Sequence, residues 1–179
     1  CIRDSTHPEV GGQRTWDLWV HAWLLMGLTA CAEHEALREP ALRLAVPIGE
    51  LVHRTFLTDP GAVIRQGNHQ GLSSLVILEP LARLSRVTGD DRFVRLAAEM
   101  LDAAHAQGLP LLAHPSVPIH TIGTGKIYQL LWVLQGVLAV GVDLGRTQDV
   151  AAVERLWMQV QAHHLTPFGG PWGGIATHK

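Results

Sequence analysis

The stretch WDLWVHAWLLMGLTACAE, Trp16 to Glu33, decides the fold. Apolar residues fall at 16, 19, 20, 23, 24, 27 and 28, the i, i+3, i+4 recurrence of a helix that buries one face. Asp17 stands in its first turn, where the positive end of a helix favours an acid. The same reading extends along the chain. A second helix is expected from about Glu39 to Phe56, with Pro40 in its first turn and Leu42, Ala45, Val46, Gly49, Val52 and Phe56 on one side. Pro47 inside it predicts a bend or a break. A third runs from about Asn68 to Val87, kinked late by Pro80 and closed at Thr88-Gly89-Asp90, where glycine can turn left-handed. Asp91 to Gln107, Gly125 to Leu144 and Thr147 to His164 complete the set, Thr147 serving as N-cap. Strands are almost absent, so the fold class is all-α.

The six helices pair into three hairpins whose first members start near 16, 68 and 125, a weak repeat at spacings of 52 and 57 residues. The joints within hairpins are short: His34 to Arg38, Thr88 to Asp91 and Gly145 to Gln148. The segments after each hairpin are long and rich in Gly, Pro and His: Leu57 to Gly67, Gly108 to Thr124 and Leu165 to Lys179. In up-down packing the odd helices run parallel, so their starts and the long segments share one rim, and loops on a rigid scaffold are where sites sit.

Composition narrows the function. With 179 residues, 47% of them apolar and 17% charged, the chain suits one compact domain and excludes intrinsic disorder. A formal net charge of −2 gives no general pull toward nucleic acid or anionic membrane. The longest uncharged apolar run, Ile127 to Val142, is 16 residues and carries Gln129 and Gln135, short of the roughly 20 that a spanning helix needs. No basic segment precedes an apolar stretch at the start, so a cytoplasmic location is the expectation. Cys1 and Cys31 make neither a disulfide framework nor a C-x-x-C pair. The start at Cys1 and the stop at Lys179 raise the expectation of a piece of something longer.

The rim gathers a consistent chemistry. Near the first helix start stand Trp16, Trp19, His21 and Trp23; at the third, Asn68, His69 and Gln70; at the fifth, Lys126 and Tyr128. The last segment adds Phe168, Trp172 and His178 around Thr166-Pro167-Phe168-Gly169-Gly170-Pro171-Trp172-Gly173-Gly174. Aromatic faces with neutral hydrogen-bonding groups suit a carbohydrate, whose ring offers C–H faces for stacking and hydroxyls for fixed donors and acceptors. The candidate substrate-binding residues are His21, Asn68, His69, Lys126, Tyr128 and Trp172. Taken singly, the tryptophans suit a helix core and the histidines suit satisfied polar positions; their common place at odd helix starts sets them apart.

Other chemistries fail on spacing. His163 and His164 are adjacent and point apart, and no H-x-x-x-H pair or H-E-x-x-H motif occurs among the eleven histidines. Gly123-Thr124-Gly125-Lys126 lacks the G-x-x-x-x-G-K-[ST] spacing and follows no strand. There is no G-x-S-x-G elbow, and Cys31 inside an apolar helix is expected to pack. Among the acids, Glu79 beside Pro80 stands out, although a capping or solvated acid explains it.

Trp16-Asp17-Leu18-Trp19-Val20-His21 with Leu25-Met26-Gly27-Leu28, Leu78-Glu79-Pro80-Leu81-Ala82-Arg83-Leu84 leading to Val87-Thr88-Gly89-Asp90-Asp91-Arg92-Phe93, Gly123-Thr124-Gly125-Lys126-Ile127-Tyr128, and Trp157 followed by His164-Leu165-Thr166-Pro167-Phe168-Gly169-Gly170 occur in this order. The chain thereby resembles the β-L-arabinofuranosidase-type glycoside hydrolases of family 127 and their relatives, over Trp16 to Gly174. The resemblance implies an (α/α)6 barrel of six hairpins around a pocket at one end, of which three hairpins make about half. It implies a terminal sugar such as a β-L-arabinofuranoside as substrate, and a substrate-facing role for His21, His69 and Lys126. It implies a zinc-held cysteine nucleophile and a glutamate acid/base near or beyond the Gly-Gly segment, so that no catalytic role carries over to a residue of this sequence, its catalytic residues stay unassigned, and zinc is expected in a longer protein and not within this chain. The rest of the barrel, or a second copy, is the expected partner. Two other readings stand beside it: a noncatalytic helical-repeat module that binds a glycan or a protein through the same rim, and a sugar epimerase, which would need paired histidines across the pocket.

Overall fold

The computed structural model describes residues 7–9, 12–14, 16–109, 117–124 and 126–171. Among them the helices are α1 (Asp17–Ala32), α2 (Glu35–Phe56), α3 (Ala62–Gln66), α4 (Leu72–Leu75), α5 (Leu78–Thr88), α6 (Arg92–Ala106), α7 (Ile127–Asp143) and α8 (Thr147–His163), with a 3-10 turn at Ile119–Thr121. One short antiparallel hairpin precedes them, β1 (His7–Glu9) on β2 (Gly12–Arg14), with His7 opposite Arg14. No helix among the described residues is long and apolar enough to cross a membrane.

Three helical hairpins set the architecture: α1 packs on α2, α5 on α6 and α7 on α8. The first members form an inner layer, because α5 packs on both α1 and α7, while α2 and α6 lie outside and touch each other. The short α4 precedes α5, and between them Leu72, Leu75, Val76, Ile77 and Leu78 are fully buried, which makes this junction the centre of the core. Each such side chain contributes about 1.5–3 kcal/mol of burial free energy. Side-chain bonds fasten the lower ends of the inner helices. Arg38 donates to the Ala32 carbonyl at the end of α1 (3.2 Å) and to the Val87 carbonyl near the end of α5 (2.6 Å), a cation placed at two negative helix ends. Arg86 of α5 pairs with Asp143 at the end of α7 (3.1 Å).

The turn between α5 and α6 closes on its own side chains. Gly89 takes φ 75°; the Ser85 hydroxyl donates to the Asp90 carbonyl (2.7 Å) and accepts the Val94 N–H (2.9 Å). Arg92 donates to the Asp90 carboxylate and holds that carboxyl below its usual range. At the opposite end, Gln159 of α8 donates to the Val117 carbonyl (3.0 Å) and accepts the Ile119 N–H (2.9 Å), which fixes the loop that leads into α7. The starts of α1, α4 and α7 and these long connections therefore share one rim.

Several expectations change. The fully buried face of α1 carries Leu18, Ala22, Leu25, Thr29 and Ala32; of the expected residues, Trp19 and Leu28 pack half-buried against the core, while Val20, Trp23 and Leu24 are about half exposed. The helix is apolar all round, so periodicity marks two faces, and the smaller residues allow the closer approach to α2 and α5. Cys31 lies on the outward side and is exposed. Helix α2 begins at Glu35 and runs unbroken through Pro40 and Pro47; both prolines are exposed, so water can serve the carbonyls that lose an N–H partner. The expected third helix is interrupted. His69, Gln70 and Gly71 adopt φ 55°, 58° and 92°, and the helix restarts as α4 and then α5, with Pro80 in the first turn of α5 where it disturbs nothing. Gly71 is obligatory there, because a Cβ would stand 2.9 Å from the Ile64 Cα. Helix α3 occupies part of the segment expected to be loop, and Thr147 is the first residue of α8, not its cap.

Candidate functional site

The left-handed turn before α4 is what displays His69. The Asn68 carbonyl accepts the N–H groups of Gly71 (3.1 Å) and Ser73 (3.3 Å) and the Ser73 hydroxyl (3.2 Å), so the buried Asn68 anchors the turn while His69 projects from it. The loop before α7 seats directly on this turn. Gly123 has φ 59°, and a Cβ on it would meet Leu72 Cδ1 at 2.4 Å and the His69 carbonyl at 3.0 Å; glycine alone permits the approach.

That approach brings Thr124 and Lys126 to the imidazole. His69 Nδ1 lies 2.8 Å from Thr124 Oγ1, and Lys126 Nζ lies 3.4 Å from His69 Nε2. An ammonium has no acceptor capacity, so in the contact with Lys126 the ring nitrogen Nε2 is the acceptor, while Nδ1 faces the threonine hydroxyl. The Lys126 ammonium also sits 5.2 Å from the centroid of the Tyr128 ring, within cation–π range. Lys126 holds the N-cap position of α7, where the helix dipole disfavours a cation; its histidine and tyrosine neighbours offset that cost.

An aromatic run continues from this cluster. Trp16, at the N-cap of α1, meets the His69 ring at 6.2 Å and the Trp19 ring at 6.0 Å. Trp19 lies 5.8 Å from Tyr128 and 5.3 Å from Trp132, and Trp23 lies 4.7 Å from Trp132. All are edge-to-face arrangements, the favoured geometry for ring pairs. Tyr128 and Trp23 stay about half exposed while Trp132 is buried, so the run has a packed base and an open surface.

The structure therefore brings together His69, Lys126 and Tyr128 with Trp16 and Trp19. Asn68 stands beside them as a turn anchor. His21 does not join them: two positions beyond Trp19, it points to nearly the opposite side of α1, and its Nδ1–H donates to the Asp17 carbonyl (2.6 Å). Trp172 and His178 lie outside the described residues. Phe168 is almost wholly exposed, on a tight turn in which Thr166 N–H donates to the Gly170 carbonyl (2.7 Å). Sequence reasoning missed Thr124, which only the loop docking at Gly123 brings in, and Trp132, which the i+4 spacing from Tyr128 could have flagged. Among the described residues no group of three His, Cys, Asp or Glu side chains comes together.

No family model, curated protein or solved structure matches the chain.

Proposed function

We propose that the rim cluster binds a sugar, and that the chain forms about half the wall of an (α/α)6 barrel in a glycoside hydrolase of the β-L-arabinofuranosidase type. One observation carries the sugar reading: Trp16, Trp19 and Tyr128 border the His69–Thr124 pair and the Lys126 ammonium. Rings supply faces for sugar C–H groups, and the threonine hydroxyl and the ammonium supply fixed partners for sugar hydroxyls. Three parallel inner helices with their starts on one rim support the barrel reading. So does α1, apolar on every side, with Val20, Trp23 and Leu24 about half exposed where a further hairpin would pack. The family resemblance supplies the rest of the proposal: the terminal sugar, and a nucleophile and acid/base outside this chain.

Isothermal titration of methyl β-L-arabinofuranoside into the 179-residue chain tests the site. His69→Ala and Tyr128→Ala are each expected to weaken binding about tenfold, equivalent to about 1.4 kcal/mol. Equal affinity in the wild type and both variants refutes the rim assignment.

A further inference from the structure

The three hairpins pack by one rule. The inner helix of each next hairpin lies against both helices of the hairpin before it: α5 packs on α1 and α2, and α7 packs on α5 and α6. By that rule the next seat is the groove between α7 and α8, and among the described residues nothing fills it. It encloses about 530 Å³, walled by Leu131, Leu134 and Leu138 of α7 and by Val153 and Trp157 of α8. The first inner helix, α1, is in the converse position, since no helical hairpin precedes it among the described residues.

A shift of 109 residues lays α1 on α7, with Trp23 on Trp132, Leu25 on Leu134, Gly27 on Gly136 and Ala30 on Ala139. Under that shift the two sides of the helix exchange their states. Val20, Leu24, Gly27 and Cys31 are exposed on α1, whereas their counterparts Gln129, Val133, Gly136 and Val140 are buried on α7. The i, i+4, i+7, i+11 spacing keeps each set on one stripe. On α7 that stripe is turned to α5: a Cβ on Gly136 would stand 2.6 Å from Leu78 Cβ. On the other side, Ala22, Leu25 and Thr29 are buried where α1 takes α2 and α5, and their counterparts Leu131, Leu134 and Leu138 wall the open groove.

One empty seat and one unseated inner helix therefore stand on the same chain, and they match. Apart from Glu154 in the groove, neither surface carries a charge. Val20 and Leu24 are 51% and 49% exposed. A Cβ on Gly27 would meet nothing within 4 Å, so the backbone of α1 is open to the close approach that Gly136 gives α7. An occupant of the groove must present such a stripe, and the chain itself presents one.

We infer that α1 of one copy packs in the α7–α8 groove of a second copy, a head-to-tail contact that repeats between chains the joint already made twice within one. The inference draws on hairpin packing alone, so it stands or falls apart from the sugar reading of the rim.

Sedimentation velocity of the 179-residue chain over a wide concentration range tests it. The wild type is expected to reach at least twice the 19.5 kDa of one chain. Leu24→Arg blocks the inserted helix and Trp157→Arg blocks the groove; both side chains are about half exposed, so each variant is expected to keep its fold, which melting curves verify. An unpaired charge in an apolar contact weakens it roughly a hundredfold, and each variant alone is expected to sediment as one chain. Mixed, the two variants have one intact α1 and one intact groove between them, and a two-chain species should return; that rescue requires the two surfaces to meet each other. Gly27→Ala adds its methyl only to the contact between copies and is expected to weaken association about tenfold, its effect on the fold of one copy being read in dilute solution. A wild type that stays at the mass of one chain, as where hairpins of another protein take both surfaces, overturns the inference. So does a folded arginine variant that associates like the wild type, or a mixture that stays single.

Discussion

Gly136 and Gly27 are both interior glycines of inner helices, yet alanine should act on them in opposite directions. A Cβ on Gly136 would stand 2.6 Å from Leu78 Cβ and 2.9 Å from the Glu79 backbone nitrogen, whereas one on Gly27 meets nothing within 4 Å. The obstruction at Gly136 is the body of α5, which can yield only by moving away from α7. Alanine in place of a helical glycine gains about 1 kcal/mol in propensity at either site, so the difference between the two variants isolates the overpacking. That term is about 1–3 kcal/mol, equivalent to roughly 2–12 °C in Tm at about 2–4 °C per kcal/mol for a domain of this size. Gly27→Ala should melt above the wild type and Gly136→Ala below Gly27→Ala by that margin, measured by circular dichroism in one buffer. Equal melting temperatures would refute the close approach of α5 and α7.

Gln70→Gly is expected to stabilise the protein by about 1 kcal/mol, because relief of a left-handed residue at about 1–2 kcal/mol exceeds the chain entropy that glycine loses; a lower urea midpoint than the wild type would contradict the strained turn. His105 of α6 gives a pH dependence. Burial pushes its imidazole below the ordinary value of 6.5, outweighing the favourable fields of Asp149 and Asp102, while Arg146 pushes the same way as burial. The folded state then binds fewer protons than the unfolded one, so stability should fall as the pH drops below about 6.5. Asp149 acts in the other sense: burial raises its carboxyl above 3.8, so its contribution weakens as the pH rises through the raised value. The difference between wild type and His105→Gln isolates the histidine, and chemical denaturation from pH 5 to 7.5 should show a flatter profile for the variant; parallel curves would rule the histidine out.

Helix existence was legible in the sequence because the apolar repeats are long, and the hairpin joints were legible because Gly89 and its neighbours close turns by local chemistry. Which face of α1 packs inward was not. No side of it is more apolar than another, since Leu18, Ala22 and Leu25 compete with Trp19, Trp23 and Leu24, and only the partners decide. The break at His69 and Gln70 was equally hidden, since Gln70 does not mark a left-handed turn and histidine does so only weakly; the signal lies in Gly71, held against Ile64 of α3, a helix too short to show an apolar repeat.

The rim and the core obey different rules, and the contrast supports the site. Within the core, local preference and tertiary packing agree: the junction at Val76 and Ile77 is apolar and fully buried. At the rim they conflict in three adjacent places. His69 and Gln70 stand in a conformation that L side chains disfavour, Lys126 puts a cation at a positive helix end, and Gly123 gives up side-chain packing so that its loop can reach the His69 turn. Each departure has a cost, and all three serve one result, the meeting of His69 with Thr124 and Lys126. Costs that converge on one constellation mark functional placement more strongly than any single residue type. Relaxing one of them without touching the imidazole, as Gln70→Gly does, should therefore raise stability while it loosens the sugar's partners, and the two effects should appear in the same variant.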